Sequence, residues 1–455
     1  MIKEDLDLSN FRNLTAPEIV VDPPGPKVRE FMKLGGLRRM RYAQPLMDEA
    51  QGIFIKDLDG NTFIDFISGR CVTNIGYSHP RLVKALQTQA AKGTHGLTEH
   101  RLKLNKKISE ITPGDFKKRI FYAQSGSTTN DFGIKTARWS TKRPYIVAFA
   151  GAYHGTTYGA LSISSYRPEM VKGFNPNLPG IYHMPYPYCY RCPFKLEHPD
   201  CDLACLWYLE DYAFTSYLPP EEVAAVVFEP VAGDAGWHVP PDEWLPTLRK
   251  ICDRHGILLI AEEVQTGFGR TGKWFAVENW GVEPDIILLG KAIACGVPNA
   301  ACVVREDLCM KEETGESFWT GGTFSGSPLS SVAALTNIDV IEEEKLVDNS
   351  SKMGAYIKGR LMEMMEDHRI MGNVRGVGLL IGVEIVKDKK TKKPGVEEAE
   401  KICAEAFQKG LYLVNMGAFG TRALRVAPPL IINREQADSS LEILESSISK
   451  VENET

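Results

Sequence analysis

The stretch Ile257–Lys291 reads ILLIAEEVQTGFGRTGKWFAVENWGVEPDIILLGK and contains two short apolar runs, each followed by polar residues. ILLIA leads into Glu262, and DIILLG leads into Lys291. Runs of this length bounded by Gly and Pro are typical of strands buried on both faces of a parallel sheet. Ligands bind at the carboxyl ends of such strands, so we expect the acid and the amine to face one crevice. A strand-end lysine is ordinarily a solvated cap, but lysine also forms Schiff bases with carbonyl compounds.

The composition excludes several classes of protein. A chain of 455 residues is too long for one compact core, which predicts two or three domains, or one large domain with an appended smaller one. The net charge of −5 gives no reason to expect nucleic acid or an anionic membrane as a partner. No window of 18 apolar residues and no apolar leader is present, which predicts a cytoplasmic protein without a membrane span. Ten scattered cysteines agree with a reducing compartment.

The pattern of elements divides the chain into three parts. Residues 1–75 hold a Pro-rich and basic lead, expected to pack across another surface or subunit, and a hairpin around Asp59-Gly60; we assign them to an N-terminal segment and part of a small domain. Residues 76–330 alternate apolar runs with helical patterns, which predicts a large α/β domain. Residues 331–455 predict a smaller α+β domain that begins with one long amphipathic helix carrying the acidic patch IEEEK.

Other predicted strands and loops also end in polar residues. Ser125–Ser127 precede a helix, where backbone N–H groups and hydroxyls suit a phosphate, although Ser is also a common N-cap. Tyr153 follows a strand and could stack on a flat ring, but a tyrosine there is often part of the core or its rim. Glu229 follows the strand VAAVVF, where a solvated cap is an equal alternative. Thr323 lies in the Gly- and Ser-rich loop WTGGTFSGS, which opens a further helix.

One cluster of cysteines has a spacing that resembles a metal site. The residues follow the pattern C-x2-C-x8-C-x3-C, which can close a tetrahedral zinc site but departs from the commoner ribbon spacings. We interpret them as free thiols in a surface insertion, with zinc as the alternative, and expect no metal at the active site. The four are Cys189, Cys192, Cys201 and Cys205.

Together these segments resemble the class III (ornithine/4-aminobutyrate-type) aminotransferases, in the subgroup that also contains amino-acid racemases and 2-epimerases. The likeness extends from DGNTFIDF at 59–66 to LRVAPPL at 424–430, and EVQTGFGRTGKWF at 263–275 is its most specific part. The resemblance implies the α/β fold type I of pyridoxal-phosphate (PLP) enzymes. It implies a large domain with a mainly parallel seven-stranded sheet, a smaller α+β domain, and a homodimer or higher homo-oligomer.

Carried over to the matching positions, the resemblance assigns roles to single residues. Lys291 is implied to bind PLP as an internal aldimine and to act as general base and acid at the substrate Cα. Arg425 is implied to bind the substrate carboxylate, for which a planar guanidinium is suited. The cofactor-binding positions implied in the same way are Ser125, Gly126, Ser127, Tyr153, His154, Glu229, Glu262, Val264, Gln265, Lys291 and the partner subunit's Thr323.

Within this set the resemblance also implies which part of the cofactor each residue meets. Gly126 and Ser127 are implied to hold the phosphate at the start of a helix. Tyr153 is implied to stack on the pyridine ring and to line the substrate side. Gln265 is implied to contact the ring hydroxyl, while Val264 packs beneath the ring.

One departure from the family concerns the residue behind the ring nitrogen. Glu262 stands where the family has the aspartate that keeps this nitrogen protonated. A carboxylate is still present, so the electron-sink chemistry is expected to persist, with the extra methylene absorbed by a tilted ring or a shifted strand. The alternative is that Glu262 turns away from the ring and weakens the enzyme.

A second departure leaves the reaction open. Asp234 stands where ω-aminotransferases have a glutamate that pairs with the arginine matching Arg425. The leading prediction is transfer of an amino group from an amino acid or a 4-aminobutyrate-like ω-amino acid to a 2-oxo acid such as 2-oxoglutarate or pyruvate. The alternative is an amino-acid racemase or 2-epimerase that uses Lys291 and Asp234 as two bases. A third possibility is a degenerate homologue retained for binding or structure.

Arg70 is the residue most closely connected with substrate choice. It lies with Cys71 in SGRCVTNIGYSHP, where relatives have small or apolar residues on the substrate side. Arg70 is therefore a candidate for binding a distal acidic group of the substrate. The alternative is an arginine that faces outward into solvent.

Overall fold

A computed structural model describes residues 11, 13–33, 44–311 and 315–454. The basic stretch GGLRRMR at 35–41, which we expected to pack across another surface, lies outside these residues. Among the described helices, none is both long enough and apolar enough to cross a membrane.

The N-terminal part of the chain forms a small antiparallel sheet. Its elements are α1 (Pro26–Lys33), β1 (Met47–Gln51), β2 (Phe54–Asp57), β3 (Thr62–Asp65) and the single turn α2 (Ser68–Cys71). Strands β2 and β3 form the predicted hairpin, and Gly60 at its tip has φ 93°. The Asp59 carboxylate in the same tip accepts hydrogen bonds from the backbone N–H groups of Lys27 and Val28. The described part of the Pro-rich lead therefore packs on the hairpin of its own chain.

The central sheet has seven strands. They are β4 (Lys118–Ala123), β5 (Tyr145–Phe149), β6 (Ile181–Met184), β7 (Val223–Phe228), β8 (Leu258–Glu262), β9 (Ile286–Leu289) and β10 (Ala300–Arg305), in the spatial order β4-β10-β9-β8-β7-β5-β6. Every neighbouring pair is parallel except the two pairs that include β10. Strands β7, β8 and β9 are buried throughout, which explains their continuous apolar runs. The predicted mainly parallel seven-stranded sheet is confirmed.

Helices cover this sheet and connect its strands. In chain order they are α3 (Pro80–Lys92), α4 (Glu99–Ile111), α5 (Gly126–Thr141), α6 (Tyr158–Ile163), α7 (Pro168–Val171), α8 (Ala204–Trp207), α9 (Phe214–Ser216) and α10 (Trp244–His255). A short hairpin of β11 (Met310–Lys311) and β12 (Glu316–Ser317) follows the last strand of the sheet. Helix α5 packs across β9 and β10, so its N-terminus lies at the edge where β9 ends.

The C-terminal part forms a second antiparallel sheet with its own helices. Its elements are α11 (Pro328–Glu343), α12 (Leu346–Asp367), β13 (Met371–Val377), β14 (Leu380–Asp388), β15 (Lys393–Pro394), α13 (Val396–Gln408), β16 (Leu411–Tyr412), β17 (Val414–Met416), β18 (Ala423–Val426) and α14 (Arg434–Asn453). The main sheet has the order β13-β14-β18-β17. Strand β16 pairs in parallel with β3, which joins the two ends of the chain. We therefore propose that residues 1–75 and 331–455 share the smaller domain and that residues 76–330 form the large one.

The long amphipathic helix expected after Ser331 is interrupted. Helix α11 ends at Glu343, and α12 begins at Leu346 after Lys345, which has φ 53°. Three successive glutamates at the carboxyl end of a helix oppose the helix dipole, which favours a break at this point. The prediction of one continuous helix was wrong here.

Candidate active site

Three neighbouring strands of the central sheet end side by side. Phe228 at the end of β7 pairs with Ala261 of β8, and Glu262 pairs with Leu288 of β9. The residues that follow these strands, Glu229 and Lys291, therefore lie at the same edge as Glu262. Lys291 has φ 41°, a conformation that non-glycine residues rarely adopt and that is concentrated at functional sites. Within the described residues its amine has no hydrogen bond or ion pair.

Glu262 is held in a fixed position by two donors. One carboxylate oxygen lies 3.1 Å from His154 Nδ1, and the other accepts a hydrogen bond of 2.8 Å from the backbone N–H of Val264. Glu262 is 5% exposed and His154 is 3% exposed, so water competes little with these contacts. The structure thus places the carboxylate in the buried interior beside His154.

The adjacent glutamate points the other way, as alternation along a strand requires. Glu263 accepts hydrogen bonds from the Thr266 hydroxyl and from the backbone N–H of Val277. Burial raises the pKa of Glu263 to about 7, against the lowering effect of these hydrogen bonds. Of the two adjacent glutamates at the end of β8, only Glu262 joins the cluster around Lys291.

The N-terminus of α5 packs tightly against the end of β8 and the start of the Lys291 turn. A Cβ at Gly126 would lie 2.8 Å from Val264 Cγ1, and a Cβ at Gly290 would lie 3.0 Å from the same atom. Ser125 is the N-cap and accepts a hydrogen bond from Thr128 N, and no acidic residue stands in the first turn. Because the early N–H groups of a helix attract anions, this arrangement suits a phosphate.

A second loop closes over the same helix terminus. Ser127 Oγ accepts a hydrogen bond of 3.3 Å from Thr156 N, and Asn130 donates to the carbonyl oxygens of Gly126 and His154. Gly155 has φ 130°, and a Cβ there would lie 2.0 Å from Ser127 Oγ. The loop after β5 and helix α5 thus form one unit, which brings His154 and Ser127 to the same side.

Glu229 and Gln265 meet across Gly233. Glu229 Oε1 accepts a hydrogen bond of 3.1 Å from Gly233 N, and Gln265 Oε1 accepts one of 3.0 Å from Trp237 Nε1. A Cβ at Gly233 would lie 2.4 Å from Gln265 Oε1, so only glycine fits. Glu229 Oε2 is buried and has no partner among the described residues. Burial, helped by the negative charges of Glu262 and Asp234, raises the pKa of Glu229 well above its ordinary value.

Asp234 and Arg425 form a nearly buried ion pair. Arg425 Nη2 donates to Asp234 Oδ1 over 2.5 Å, and its guanidinium lies 5.0 Å from the ring centre of Trp237. Burial acts to raise the pKa of Asp234, but the cations Arg425 and Lys291 outweigh it and hold the pKa down. Burial likewise acts to lower the pKa of Arg425, and the Asp234 carboxylate reverses the effect. Arg425 Nε has no partner among the described residues, so the guanidinium retains an unused donor.

Tyr153 borders this pair on the cleft side. Its ring is half-buried and meets Tyr166 edge to face, with ring centres 6.3 Å apart. Burial, followed by the nearby Asp234 carboxylate, raises the pKa of Tyr153 above its ordinary value. The phenol is thus close enough to sense the charge on Asp234 and remains neutral at physiological pH.

Comparison with known proteins agrees with this geometry. A model of the aminotransferase class-III family matches residues 39–448. An alanine/serine racemase from Pyrococcus horikoshii is 41% identical, over 95% of this chain and 92% of that protein. A probable 4-aminobutyrate aminotransferase from Bacillus subtilis is 35% identical, over 88% and 92%. The crystal structure of an aminotransferase from Bacillus anthracis superposes with a TM-score of 0.86 at 28% identity, over 94% of this chain and 99% of that one.

The chain belongs to the class-III aminotransferase family. The resemblance inferred from its motifs is confirmed, and the protein is an enzyme of this family. The family model covers the central sheet, the second sheet and the ion pair between them. The cluster of Glu229, Glu262 and Lys291 therefore lies, in a chain of this family, at the carboxyl edge of β7, β8 and β9.

Some predicted residues of this class-III enzyme lie apart from the cluster. Thr323 is exposed and, within the described part of the chain, makes no hydrogen bond to the site. Arg70 is exposed next to the cleft. The four cysteines of the insertion are free thiols, and burial raises the pKa of Cys189 to about 11 and that of Cys205 to about 12. Within the described residues, no group of three or more His, Cys, Asp or Glu could hold a metal ion.

Two residues that sequence reasoning missed hold the class-III site together. Trp237 donates to Gln265 and lies under Arg425, so it connects the ring side of the site to the ion pair. Gly233 allows the close approach of Glu229 and Gln265. Both stand in the segment GDAGW, where a large aromatic residue directly after a Gly-rich loop is the one local signal that could have indicated them.

Proposed function

We propose that this class-III enzyme is a PLP-dependent aminotransferase that moves an amino group from an amino acid or a 4-aminobutyrate-like ω-amino acid to a 2-oxo acid such as 2-oxoglutarate or pyruvate. The observation that carries the proposal is the unpaired amine of Lys291. It shares one strand edge with a fixed buried carboxylate, Glu262, and with the anion-binding start of α5. The relative from Bacillus subtilis, a probable 4-aminobutyrate aminotransferase, supports the same reaction.

The residues present fit the cofactor that the family implies. The backbone N–H groups of Gly126 and Ser127 would hold its phosphate, Glu262 its ring nitrogen, and Lys291 its carbonyl carbon. The unpartnered Glu229 Oε2 lies beside Gln265, where a polar ring substituent would find both side chains. Tyr153 would stack on the ring, with Val264 on its other face. When bound, the cofactor supplies an electron sink for the electrons released at the substrate Cα.

The residues of this chain perform the remaining steps. The Glu262 carboxylate, oriented by His154, favours a protonated partner at the ring nitrogen because opposite charges attract strongly in a buried site. The Lys291 amine, once released, would accept the Cα proton and return it to the former carbonyl carbon of the cofactor, which is general base and then general acid catalysis. Arg425 binds the substrate α-carboxylate after Asp234 moves aside, and its unused Nε donor permits a two-point contact.

A single-substrate experiment tests this proposal. The holoenzyme is mixed with one L-amino acid in the absence of a keto acid, and visible absorbance and optical purity are followed. We expect a stoichiometric change from the lysine-bound to the amino form of the cofactor, and added 2-oxoglutarate should reverse it by taking up the amino group. Loss of optical purity with no change of cofactor form would contradict amino transfer.

A second candidate function is amino-acid racemisation or 2-epimerisation. It is favoured by the alanine/serine racemase relative and by the position of Asp234, whose carboxylate senses the charge of Lys291. The ion pair with Arg425 makes Asp234 a weak base while the pair is closed, which is why amino transfer is placed first. The variant Asp234→Asn separates the two candidates. Racemisation by two bases requires the carboxylate, whereas half-transfer with an L-amino acid does not.

We also propose that the enzyme is a homodimer in which the partner subunit's Thr323 reaches the phosphate. The exposure of Thr323 supports this, as do large apolar residues around the same loop, which ordinarily mark an interface. Their exposed fractions are 72% for Leu97, 60% for Leu102, 78% for Trp319 and 66% for Phe324. Light scattering should give twice the mass of the chain. Thr323→Ala should weaken cofactor retention, and unchanged cofactor affinity would contradict the cross-subunit contact.

The proposed compartment is the cytoplasm. All ten cysteines are free in the structure. Burial raises the pKa of seven of them, so these seven are unreactive thiols. Free thiols persist in a reducing compartment. Titration of the freshly isolated, denatured protein with a thiol reagent should return all ten thiols.

A further inference from the structure

Arg70 lies in a turn with an unusual backbone. Ser68, Gly69, Arg70 and Cys71 all have positive φ, at 44°, 57°, 67° and 62°. Non-glycine residues rarely adopt this region, and such strain persists where the surrounding structure imposes it. Here the Asp65 carboxylate accepts hydrogen bonds from Ile67 N over 2.9 Å and Gly69 N over 2.7 Å. The left-handed turn is therefore held in place from one side.

A second anchor holds the turn from inside the protein. The buried Arg270 donates to Ser68 Oγ over 2.8 Å, and it also donates to the side-chain oxygen of Asn74. The entry to the turn is tied to the second sheet, because Phe66 N donates to Tyr412 O and Ala427 N donates to Phe66 O. These contacts fix the direction in which the turn presents its side chains.

The turn buries two side chains and exposes the arginine between them. Ser68 is fully buried, and Cys71 is 1% exposed and packs with Trp237, the ring that lies under Arg425. Arg70 is exposed, and its charge acts on groups that line the cleft. It is one of the cations that hold down the pKa of Asp234. The exposed guanidinium is thus close enough to Asp234 to act on its charge, and the adjacent Cys71 packs against the ring that lies under Arg425.

The same cation also affects two tyrosines of the cleft. Burial raises the pKa of Tyr153, with Asp234 adding to the rise, and Arg70 opposes it. Burial raises the pKa of Tyr412 to about 12, and Arg70, which contacts the Tyr412 hydroxyl, opposes that rise as well. Arg70 therefore contacts Tyr412 and is close enough to Tyr153 to affect its ionisation.

The two arginines of the substrate side differ in their partners. Arg425 is paired with Asp234, so an anion binds it only after that pair has opened. Arg70 has no ion pair with any described residue. An anion that binds Arg70 gains a charged partner without displacing another one, and a planar guanidinium offers two parallel donors to a carboxylate.

We propose that Arg70 binds the substrate carboxylate that lies farthest from the reacting carbon. That group is the second carboxylate of a dicarboxylic amino or 2-oxo acid, or the single carboxylate of an ω-amino acid. The inference rests on the proposed function and names its substrate class. Substrates with a remote carboxylate are accepted in preference to alanine and pyruvate, because they alone reach Arg70 while their reacting carbon lies at Lys291.

The test uses variants that keep the turn intact. Arg70→Asn removes the guanidinium, and asparagine tolerates positive φ better than other non-glycine residues do, so the backbone is preserved. Arg70→Lys keeps the positive charge but lacks the planar guanidinium with its two parallel donors. For Arg70→Asn we expect the KM for 2-oxoglutarate to rise by about 10- to 100-fold with little change in kcat, and the KM for pyruvate to stay within about twofold. Arg70→Lys should give an intermediate KM for 2-oxoglutarate.

A matched control and a binding measurement accompany the kinetics. Lys345→Asn removes an exposed cation from another left-handed position, far along the chain, and should change neither KM. Inhibition constants and thermal shifts are measured with glutarate and with butyrate, which differ by one carboxylate. Arg70→Asn should weaken the binding of glutarate by about 10-fold or more and leave the binding of butyrate nearly unchanged.

Three outcomes overturn the assignment. They are an equal rise in KM for 2-oxoglutarate and pyruvate, no change in KM for either substrate, or an equal affinity of wild type and variant for glutarate. A protein that neither transfers nor isomerises any amino acid would refute the proposed function. In that case the comparison of glutarate with butyrate still decides the role of Arg70.

Discussion

The two sides of the proposed active site, one for the cofactor and one for the substrate, are built from different kinds of structure. The cofactor side consists of residues in or directly after strands of one sheet, together with the start of one helix: Glu262, Val264, Lys291 and Gly126. The substrate side joins a left-handed turn, a loop after β7 and a strand of the second sheet, through Arg70, Asp234 and Arg425. The first side is packed around glycines with no spare space, whereas the second contains one ion pair and one unpaired cation.

Because the two sides are bonded differently, we expect them to behave differently when substrate binds. Glu262 is bound by two donors in a site that is almost closed to water, so it keeps one position. The Asp234–Arg425 pair has a single hydrogen bond and leaves Arg425 Nε without a partner. A pair with unused donor capacity can exchange one carboxylate for another. We therefore expect the cofactor side to act as a rigid platform and the substrate side to rearrange with each substrate.

The largest expected effect breaks the cofactor side at its covalent residue. Lys291→Ala should lower kcat by at least about 10⁴-fold, because general acid–base catalysis and covalent binding are lost together. Visible absorbance after borohydride treatment reports whether the cofactor is still attached. Lys106→Ala, which alters an exposed lysine of α4, is the control and should keep full activity. A variant of Lys291 with substantial turnover would refute the assignment.

The next largest effect is expected from a variant that breaks the ion pair on the substrate side. Asp234→Ala leaves the buried charge of Arg425 without a partner, which should cost about 3–5 kcal/mol of unfolding free energy in urea. A small carboxylic acid such as propionate should restore part of this stability by pairing with Arg425. Asp307→Ala, which breaks the exposed pair with Arg305, should cost no more than about 1 kcal/mol. Equal costs for the two variants would mean that the buried Asp234 pair contributes no more to the unfolding free energy than the exposed Asp307 pair does.

A comparable effect is expected at Glu262, which joins the cluster around Lys291, unlike the adjacent Glu263. Glu262→Gln removes the carboxylate behind the ring and should lower kcat by about 10²- to 10³-fold. Glu262→Asp restores the residue that the family carries and should retain most of the activity. Steady-state kinetics with saturating cofactor measures both variants. If Glu262→Gln is as active as wild type, the carboxylate does not serve the ring nitrogen.

Glu263 gives a pH dependence that is independent of catalysis. Its pKa of about 7 in the folded state exceeds the ordinary value of 4.5, so the folded protein binds more protons between these values. The Glu263 contribution to stability is present below about pH 4.5 and is lost as pH rises through about 7, by on the order of 3 kcal/mol. The difference in unfolding free energy between wild type and Glu263→Gln, measured from pH 4.5 to 8, should follow this curve. A difference that is independent of pH would contradict it.

The smallest expected effect tests the packing of the cofactor side. Gly126→Ala places a Cβ 2.8 Å from Val264 Cγ1, which should cost about 1–3 kcal/mol and weaken cofactor binding. Gly359→Ala is the matched control, since a Cβ there meets no atom within 4 Å and a helix gains from alanine. Fluorescence titration with the cofactor measures the affinity of both. Equal affinities would mean that the start of α5 adapts to the added methyl group.

Much of the fold was predictable because its signals are local. The apolar runs of β7, β8 and β9, the hairpin at Asp59-Gly60 and the start of α5 were all predicted from residues within a few positions of one another. The break between α11 and α12 was missed, although three glutamates precede it, because the amphipathic pattern continues across the left-handed Lys345. The strand β16, two residues long, pairs with β3 only through the long-range fold.

Local sequence patterns were sufficient to order the strands along the chain and to place Glu262 and Lys291 directly at their ends. These follow from apolar runs and strand alternation, which act over a few residues. The contact of Glu262 with His154, 108 residues away, and that of Arg425 with Asp234, 191 residues away, form only when the chain is folded. The left-handed turn that carries Arg70 likewise depends on distant anchors such as Arg270. Such contacts depend on how separate elements pack, and no local pattern encodes that packing.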